Sequence, residues 1–322
     1  MASPDDLAGG GQIVHLRVLA PPGLSDAVVA ELRAQPGAFH LTRVPGAGLD
    51  PPGDLVTCDV AREAASHAVQ RLRDLGVPER GAISIVHVDT QVSSAAVEAV
   101  RAAPGSPDSA VVWEQVEAQT AEAIALDGGF LVFMAVATLL AATAIFVDSA
   151  VLLVGAMVVG PEFGPLAGVC VALVEGRPRL AGRSLAALAV GFPMAIVLSW
   201  LASLLFRATG LTPDEFSSVD HSLSQVIAAP DWFTVIVALC AGIAGMLSLT
   251  ASKSSVLVGV LVSVTTIPAA ANMGIAWAYS DGDAFLGSLG QLALNLGLIL
   301  LAGALTLAVQ RAIHVRRASA RR

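Results

Sequence analysis

Val154-Gly-Ala-Met-Val-Val-Gly160-Pro161-Glu162-Phe163-Gly164-Pro165-Leu-Ala-Gly168 lies in the middle of an apolar run covering about residues 150–174. That run is long enough to cross a bilayer, which takes roughly 20 apolar residues. Its centre, however, holds two prolines and a carboxylate. Proline lacks a backbone N–H and leaves carbonyls unpaired, which hydrocarbon tolerates only where protein or a water-filled cavity satisfies them. A carboxylate at mid-membrane depth costs about 2.5–3.5 kcal/mol on insertion scales and marks a functional position by default. The stretch therefore reads as an interrupted span, with Gly160, Pro161, Glu162, Gly164 and Pro165 as candidate binding or transport residues. A re-entrant hairpin with Glu162 at a wet tip is the competing reading. Gly160, Gly164 and Gly168 recur every four residues, a small-residue face that lets helices approach closely within or between chains.

A second stretch echoes the first. Ser254-Ser-Val-Leu-Val-Gly259 opens as Ser149-Ala-Val-Leu-Leu-Val-Gly155 does, and each meets a proline nine or ten residues after its glycine, at Pro268 and Pro165. This weak internal repeat places Ser263, Thr265, Thr266 and Asn272 around Pro268. Gln291 and Asn295 follow at i, i+4 on one helical face. Such residues serve as interhelical hydrogen-bond partners or as substrate contacts, and the sequence leaves both roles open.

Six apolar stretches, about 129–147, 150–174, 184–206, 232–250, 254–278 and 284–309, predict six spans. With three spans per repeat unit, the two units must lie in opposite orientations, the inverted arrangement in which matching broken helices point to a midplane site. Apart from Arg207 and Glu175, the basic residues Arg177, Arg179 and Arg183, then Lys253, then Arg311, Arg316, Arg317, Arg321 and Arg322 alternate along the chain with Asp148, with Asp214, Glu215, Asp220 and Asp231, and with Asp281 and Asp283. By the positive-inside rule both termini are cytoplasmic in the cell membrane. Asp148 and Lys253, at equivalent repeat positions, read as interface residues that set topology.

The 322 residues are 55% apolar and 14% charged, with a mean hydropathy of +0.73. Soluble domains carry about 25% charged residues, so a purely soluble protein is excluded. Charge divides the chain: residues 1–128 hold 17 Asp/Glu and 8 Arg, and residues 129–322 hold 9 Asp/Glu and 10 Lys/Arg. The first half is thus an acidic, soluble domain of net −9 and the second a membrane domain of net +1.

In the soluble half, Ile13–Ala20 alternates as a strand and Leu24–Ala34 has helical spacing. Strands over Phe39–Val44 and Asp54–Val60, a helix over Arg62–Leu75 and a strand over Gly81–Val88 complete a βαββαβ order, the ferredoxin-like plan, over residues 12–92. Pro45-Gly-Ala-Gly48 follows a strand and precedes no helix, so it reads as a turn rather than a phosphate loop. Residues 1–11 read as a disordered N-terminus without a secretory signal. Residues 93–107 read as a linker, followed by a connecting helix through Asp127, and 311–322 as a basic tail.

Cys58, Cys170 and Cys240 stand far apart in apolar sequence, and the six histidines are scattered singly, which suggests neither a metal site nor a catalytic triad. No cofactor and no enzymatic activity are expected. No basic cluster precedes Arg311, which argues against nucleic acid. The expected partners are the bilayer, further copies of the chain in a homo-oligomer, and a small cytoplasmic ligand at the soluble domain.

The motif at 154–165, the preceding Asp148-Ser149, Ala229-Pro-Asp-Trp232 leading into Ala238–Gly245, and Gly53–Ala64 resemble a family of bacterial and archaeal membrane proteins defined by domain of unknown function 389 (DUF389). The resemblance runs from about residue 12 to 310. The family's interrupted helix reads closer to Gly-Ala-Met…Pro-Leu-Met-Gly-Pro. Pro161, Gly164 and Pro165 match it, and Glu162 stands where the family has an apolar residue. The resemblance implies a shared fold and an unassigned activity. The expectation is an α-helical polytopic membrane protein of about six spans with an N-terminal α+β ferredoxin-like domain, acting as a transporter or channel for an ion or small polar solute. The alternative is a non-transporting scaffold or sensor whose soluble domain binds a ligand or partner.

Overall fold

A computed structural model describes residues 13–88, 91–103, 125–212, 221–250 and 266–319, with Thr120 and Phe216 between them. The chain forms two compact units, the first built on residues before 117 and the second on the residues that follow, up to Arg311.

The first unit carries the strands β1 (Ile13–Ala20), β2 (Ala38–Leu49), β3 (Pro52–Ala61) and β4 (Ala82–Val88) and the helices α1 (Ser25–Ala34), α2 (Arg62–Asp74), α3 (Val77–Arg80) and α4 (Ser94–Ala102). The sheet order is β2-β3-β1-β4, and β1 pairs antiparallel with both β3 and β4, bringing Leu16 opposite Cys58 and Ile85. The period-2 pattern explains the layering. Val14, Leu16, Val18 and Ala20 of β1 and Val56, Cys58 and Val60 of β3 pack on Val28 and Leu32 of α1 and on Ala65, Ala68, Val69 and Leu72 of α2.

Two expectations are corrected here. Pro45–Gly48 is not a turn: β2 runs on through it to Leu49, with irregular pairing between Val44 and Gly48. Asp54 accounts for this extension, because its Oδ1 accepts the Gly46 N–H at 2.9 Å while Arg43 donates to Oδ2. The anion that the Gly46 N–H meets is the chain's own carboxylate. Residues 93–107 are not wholly a linker either, since α4 occupies Ser94–Ala102. Alanine favours helix, and Ala96 and Ala99 are buried on the face that packs against β2 and β3. Gly37 makes that approach feasible: a Cβ there would meet Ala103 at 3.0 Å and Ala61 at 3.2 Å. The predicted N-terminal segment 1–11 and most of the connecting helix after Pro107 lie outside the described residues.

The second unit is helical: α5 (Gly128–Phe146), α6 (Ala150–Val159), α7 (Phe163–Glu175), α8 (Pro178–Ala208), α9 (Ser222–Ala228), α10 (Trp232–Thr250), α11 (Thr266–Ala278) and α12 (Gly282–Ser319). Of these, α5, α8, α10 and most of α12 are long and apolar enough to cross a membrane, and α6 with α7 is a pair bent by 52°. Among the described residues this gives four spans, or five if the bent pair is one span. The first half of the predicted fifth span, 254–265, lies outside the described residues. From Thr266 onward that segment is helical straight through Pro268.

Large apolar side chains point outward from the long helices, among them Phe133, Leu205, Trp232, Phe233, Leu301 and Leu305. Helices so apolar on their outer faces match a hydrocarbon solvent rather than water. α11 is the opposite, being buried at every position from Thr266 to Ala276. Gly274 lets it touch the backbone of α8: a Cβ there would lie 2.5 Å from the Ile196 carbonyl oxygen. Ser199 of α8 donates to the Ala271 carbonyl at 2.7 Å across the same contact.

Candidate functional site

α6 ends at Val159 and α7 begins at Phe163, so Gly160, Pro161 and Glu162 form the break. Pro161 offers no N–H to continue the helix, and Pro165 falls in the first turn of α7, where a missing donor costs nothing. Glu162 occupies the N-cap position of α7, but its side chain does not cap the helix. The carboxyl turns inward and is 2% exposed. Thr266 Oγ1, at the described start of α11, donates to Glu162 Oε1 at 3.0 Å. Oε2 has no hydrogen-bond partner and packs over Gly160, where a Cβ would overlap it and would also lie 3.0 Å from Ile267. A glycine at 160 is therefore what leaves room for the carboxyl. Glu162 and Thr266, 104 positions apart, are brought together by this bond. The 52° bend at the break fits either a broken span or a re-entrant loop.

Pro268, two residues beyond Thr266, lines a cavity of about 620 Å³ together with Leu153, Gln225, Asp231, Thr234 and Gln291. Gln291 Nε2 donates weakly to Thr234 Oγ1 at 3.5 Å, and its buried Oε1 has no partner. An unsatisfied buried acceptor beside a cavity is where water, an ion or a ligand donor is needed. Thr234 is held in turn by Asp231, whose Oδ1 accepts the Thr234 N–H at 2.9 Å.

Asn272 does different work. Its Oδ1 accepts from Ser224 Oγ at 2.8 Å, and its Nδ2 donates to Ser288 Oγ at 2.9 Å and to the Ser224 carbonyl at 3.4 Å. All three residues are buried. A network so well satisfied fixes α9, α11 and α12 together, so Asn272 is a staple of the helix bundle. Asn295 is buried at 1% exposure. Gly164 and Pro165 lie on α7 beyond the break. Thr265, Ser263 and Lys253 lie outside the described residues. Asp148, in a left-handed backbone conformation at φ 49°, accepts from Ser222 Oγ at 2.7 Å and the Leu223 N–H at 2.9 Å. It anchors the start of α9, and these two donors hold its carboxyl below the usual carboxylate range.

The histidines are not all solitary. In the first unit His15 Nδ1 lies 2.6 Å from Asp59 Oδ1 and His40 Nδ1 lies 3.0 Å from Oδ2, while Gln91 Nε2 donates to Oδ2 at 2.8 Å. β1–β3 register places His15 directly opposite Asp59. His40 reaches the pair because β2 shifts register between Phe39 and Thr42, with His40 itself at φ 49°. Such bulges re-aim a side chain. Burial works to raise the Asp59 carboxyl, but the hydrogen bonds from His15, Gln91 and His40 outweigh it and hold the group below its ordinary value. Spacing alone gives no hint of this cluster. Among the described residues no group of three or more His, Cys, Asp or Glu has metal-binding geometry.

Residues 157–301 match the family model described as Domain of unknown function (DUF389). The matched segment contains the α6–α7 break, Thr266, Pro268, Asn272, Gln291 and Asn295, and is shorter than the 12–310 resemblance. The chain is similar to an uncharacterized protein of the archaeon Methanocaldococcus jannaschii, 27% identical over 145 residues, which is 45% of this chain and 42% of that protein. The chain thus spans less than half the length of that relative. No solved structure matches.

Proposed function

With residues 157–301 as a DUF389 domain, we propose that the membrane half is a transporter or channel for an ion or small polar solute. The observation that carries the reading is the break between α6 and α7, with the buried Glu162 carboxyl bonded to Thr266 of α11 and the cavity at Pro268 and Gln291 alongside. Irregular backbone at membrane depth is tolerated where protein or a cavity satisfies it, and an interrupted span such as α6–α7 is one half of the paired form that alternating-access sites take. In this reading the two three-span units are inverted repeats giving six spans in all. The sheet order β2-β3-β1-β4 in a βαββαβ chain supports a ferredoxin-like cytoplasmic domain that gates or assembles the membrane half. Both termini are cytoplasmic, the protein resides in the cell membrane, and it works as a homo-oligomer. The test is flux of a panel of ions and small solutes into proteoliposomes holding the wild-type chain or Glu162→Gln. Wild-type flux lost in the variant supports the site. Equal flux in both removes Glu162 from it.

The second reading is a non-transporting sensor or scaffold. What favours it is the half-exposed His15 and His40 pair clamped on Asp59, a place for a small ligand on the soluble sheet. Absence of flux for every solute, with ligand-dependent change in the soluble domain, would support it.

A further inference from the structure

We propose that Glu162 is a proton-binding site and that the proton is the coupling ion of the membrane half. The coupling role rests on the transport reading above, whereas the protonation does not. The carboxyl is 2% exposed, and Thr266 Oγ1 on Oε1 is its sole described side-chain partner. No basic side chain pairs with it among the described residues. Oε2 faces Gly160 and Ile267 and makes no hydrogen bond. Among the described residues no opposite charge compensates an ionised carboxylate so placed, and such a buried charge is far more costly than a neutral polar group.

A metal cation fits poorly at this position. Hard cations gather about six oxygen ligands, and among the described residues the oxygen partner of the group is the Thr266 hydroxyl. A proton needs no further ligand. The geometry also distinguishes the two oxygens: Oε1, which accepts from Thr266, is the carbonyl oxygen, and Oε2 carries the hydrogen. Release breaks the Oε2–H bond, leaves the electron pair on Oε2 and passes the proton to a water molecule. Oε2 packs over Gly160 and the carboxyl is 2% exposed, so unloading requires the packing around Gly160 to open to water. The site therefore holds its proton in the closed packing and loses it in a hydrated one.

The test uses the full chain in lipid. Infrared difference spectra of wild type against Glu162→Gln at neutral pH are expected to show a protonated-carboxyl C=O band that the variant lacks. Dicyclohexylcarbodiimide, which reacts with protonated carboxyls in apolar surroundings, is expected to label the peptide holding Glu162. The label should be lost in the variant, decline as pH rises, and be indifferent to sodium. Absence of the band, or protection by sodium, overturns the proposal. Proton uptake into dye-loaded proteoliposomes under an imposed potential then separates the two readings. The band with proton uptake that Glu162→Gln loses supports both; the band without uptake, alone or with any solute of the flux panel added, keeps the proton site and overturns the coupling role, and absence of flux for every solute of that panel removes the transport reading.

Discussion

Glu162 and Asp59 are both buried carboxyl groups, and they are handled in opposite ways. Asp59 is given three donors and stays ionised, whereas Glu162 is given one hydroxyl. Thr266→Val removes that hydroxyl while keeping the shape, and is expected to cost about 1 kcal/mol of stability and to alter flux in proteoliposomes. Gly160→Ala places a methyl group against Oε2 and Ile267. It is expected to cost about 1–3 kcal/mol, as overpacking does, and to lower flux more than Thr266→Val. For Asp59 the sign follows from its lowered folded value. The stabilisation is fully present above the ordinary carboxylate value and is lost as pH falls through the lower folded one. Acid melts of the full chain should show that loss, and Asp59→Asn, less stable at neutral pH, should flatten it. Glu162 was legible in the sequence because prolines flank it within four residues. The Asp59 cluster was not, because its histidines lie 44 and 19 positions away and meet it only through strand register and a bulge.

Among the elements, those with one strong period were readable from sequence. β1 falls on Ile13–Ala20 and α10 on Trp232–Thr250, as the alternation and the apolar run predict. The α6–α7 break sits where Gly160 and Pro161 place it. Elements set by tertiary contact were misread. β2 absorbs Pro45–Gly48 because Asp54 and Arg43 hold it against β3, and α4 forms from an Ala-rich segment whose packing depends on Gly37. α8 runs 31 residues through Pro193, well beyond the predicted 184–206, because hydropathy marks only its apolar middle. At the α8–α11 crossing, Gly274→Ala would drive a methyl group into the Ile196 carbonyl. A drop in thermal stability of about 1–3 kcal/mol is expected, measured in detergent, and Ser199→Ala should cost less, about 1 kcal/mol.

For the whole molecule, charge counts alone divide the sequence at residue 128 into an acidic half and a nearly neutral, apolar half, and the chain folds as two compact units that part near residue 117. The orientation argument predicts that a fluorescent protein fused after Arg322 matures in the cytoplasm and that a periplasmic alkaline phosphatase fused there stays inactive. The opposite pair of results would reverse the topology. The burial of α11 has a further consequence, for biosynthesis. Residues Thr266–Ala276 are buried throughout, and Asn272 is bonded to Ser224 and Ser288, partners supplied by α9 and α12. The segment is held in place by other helices rather than by lipid. Its final location must therefore be reached after translation has delivered α12, so the segment that contacts Glu162 is seated later than its place in the sequence implies.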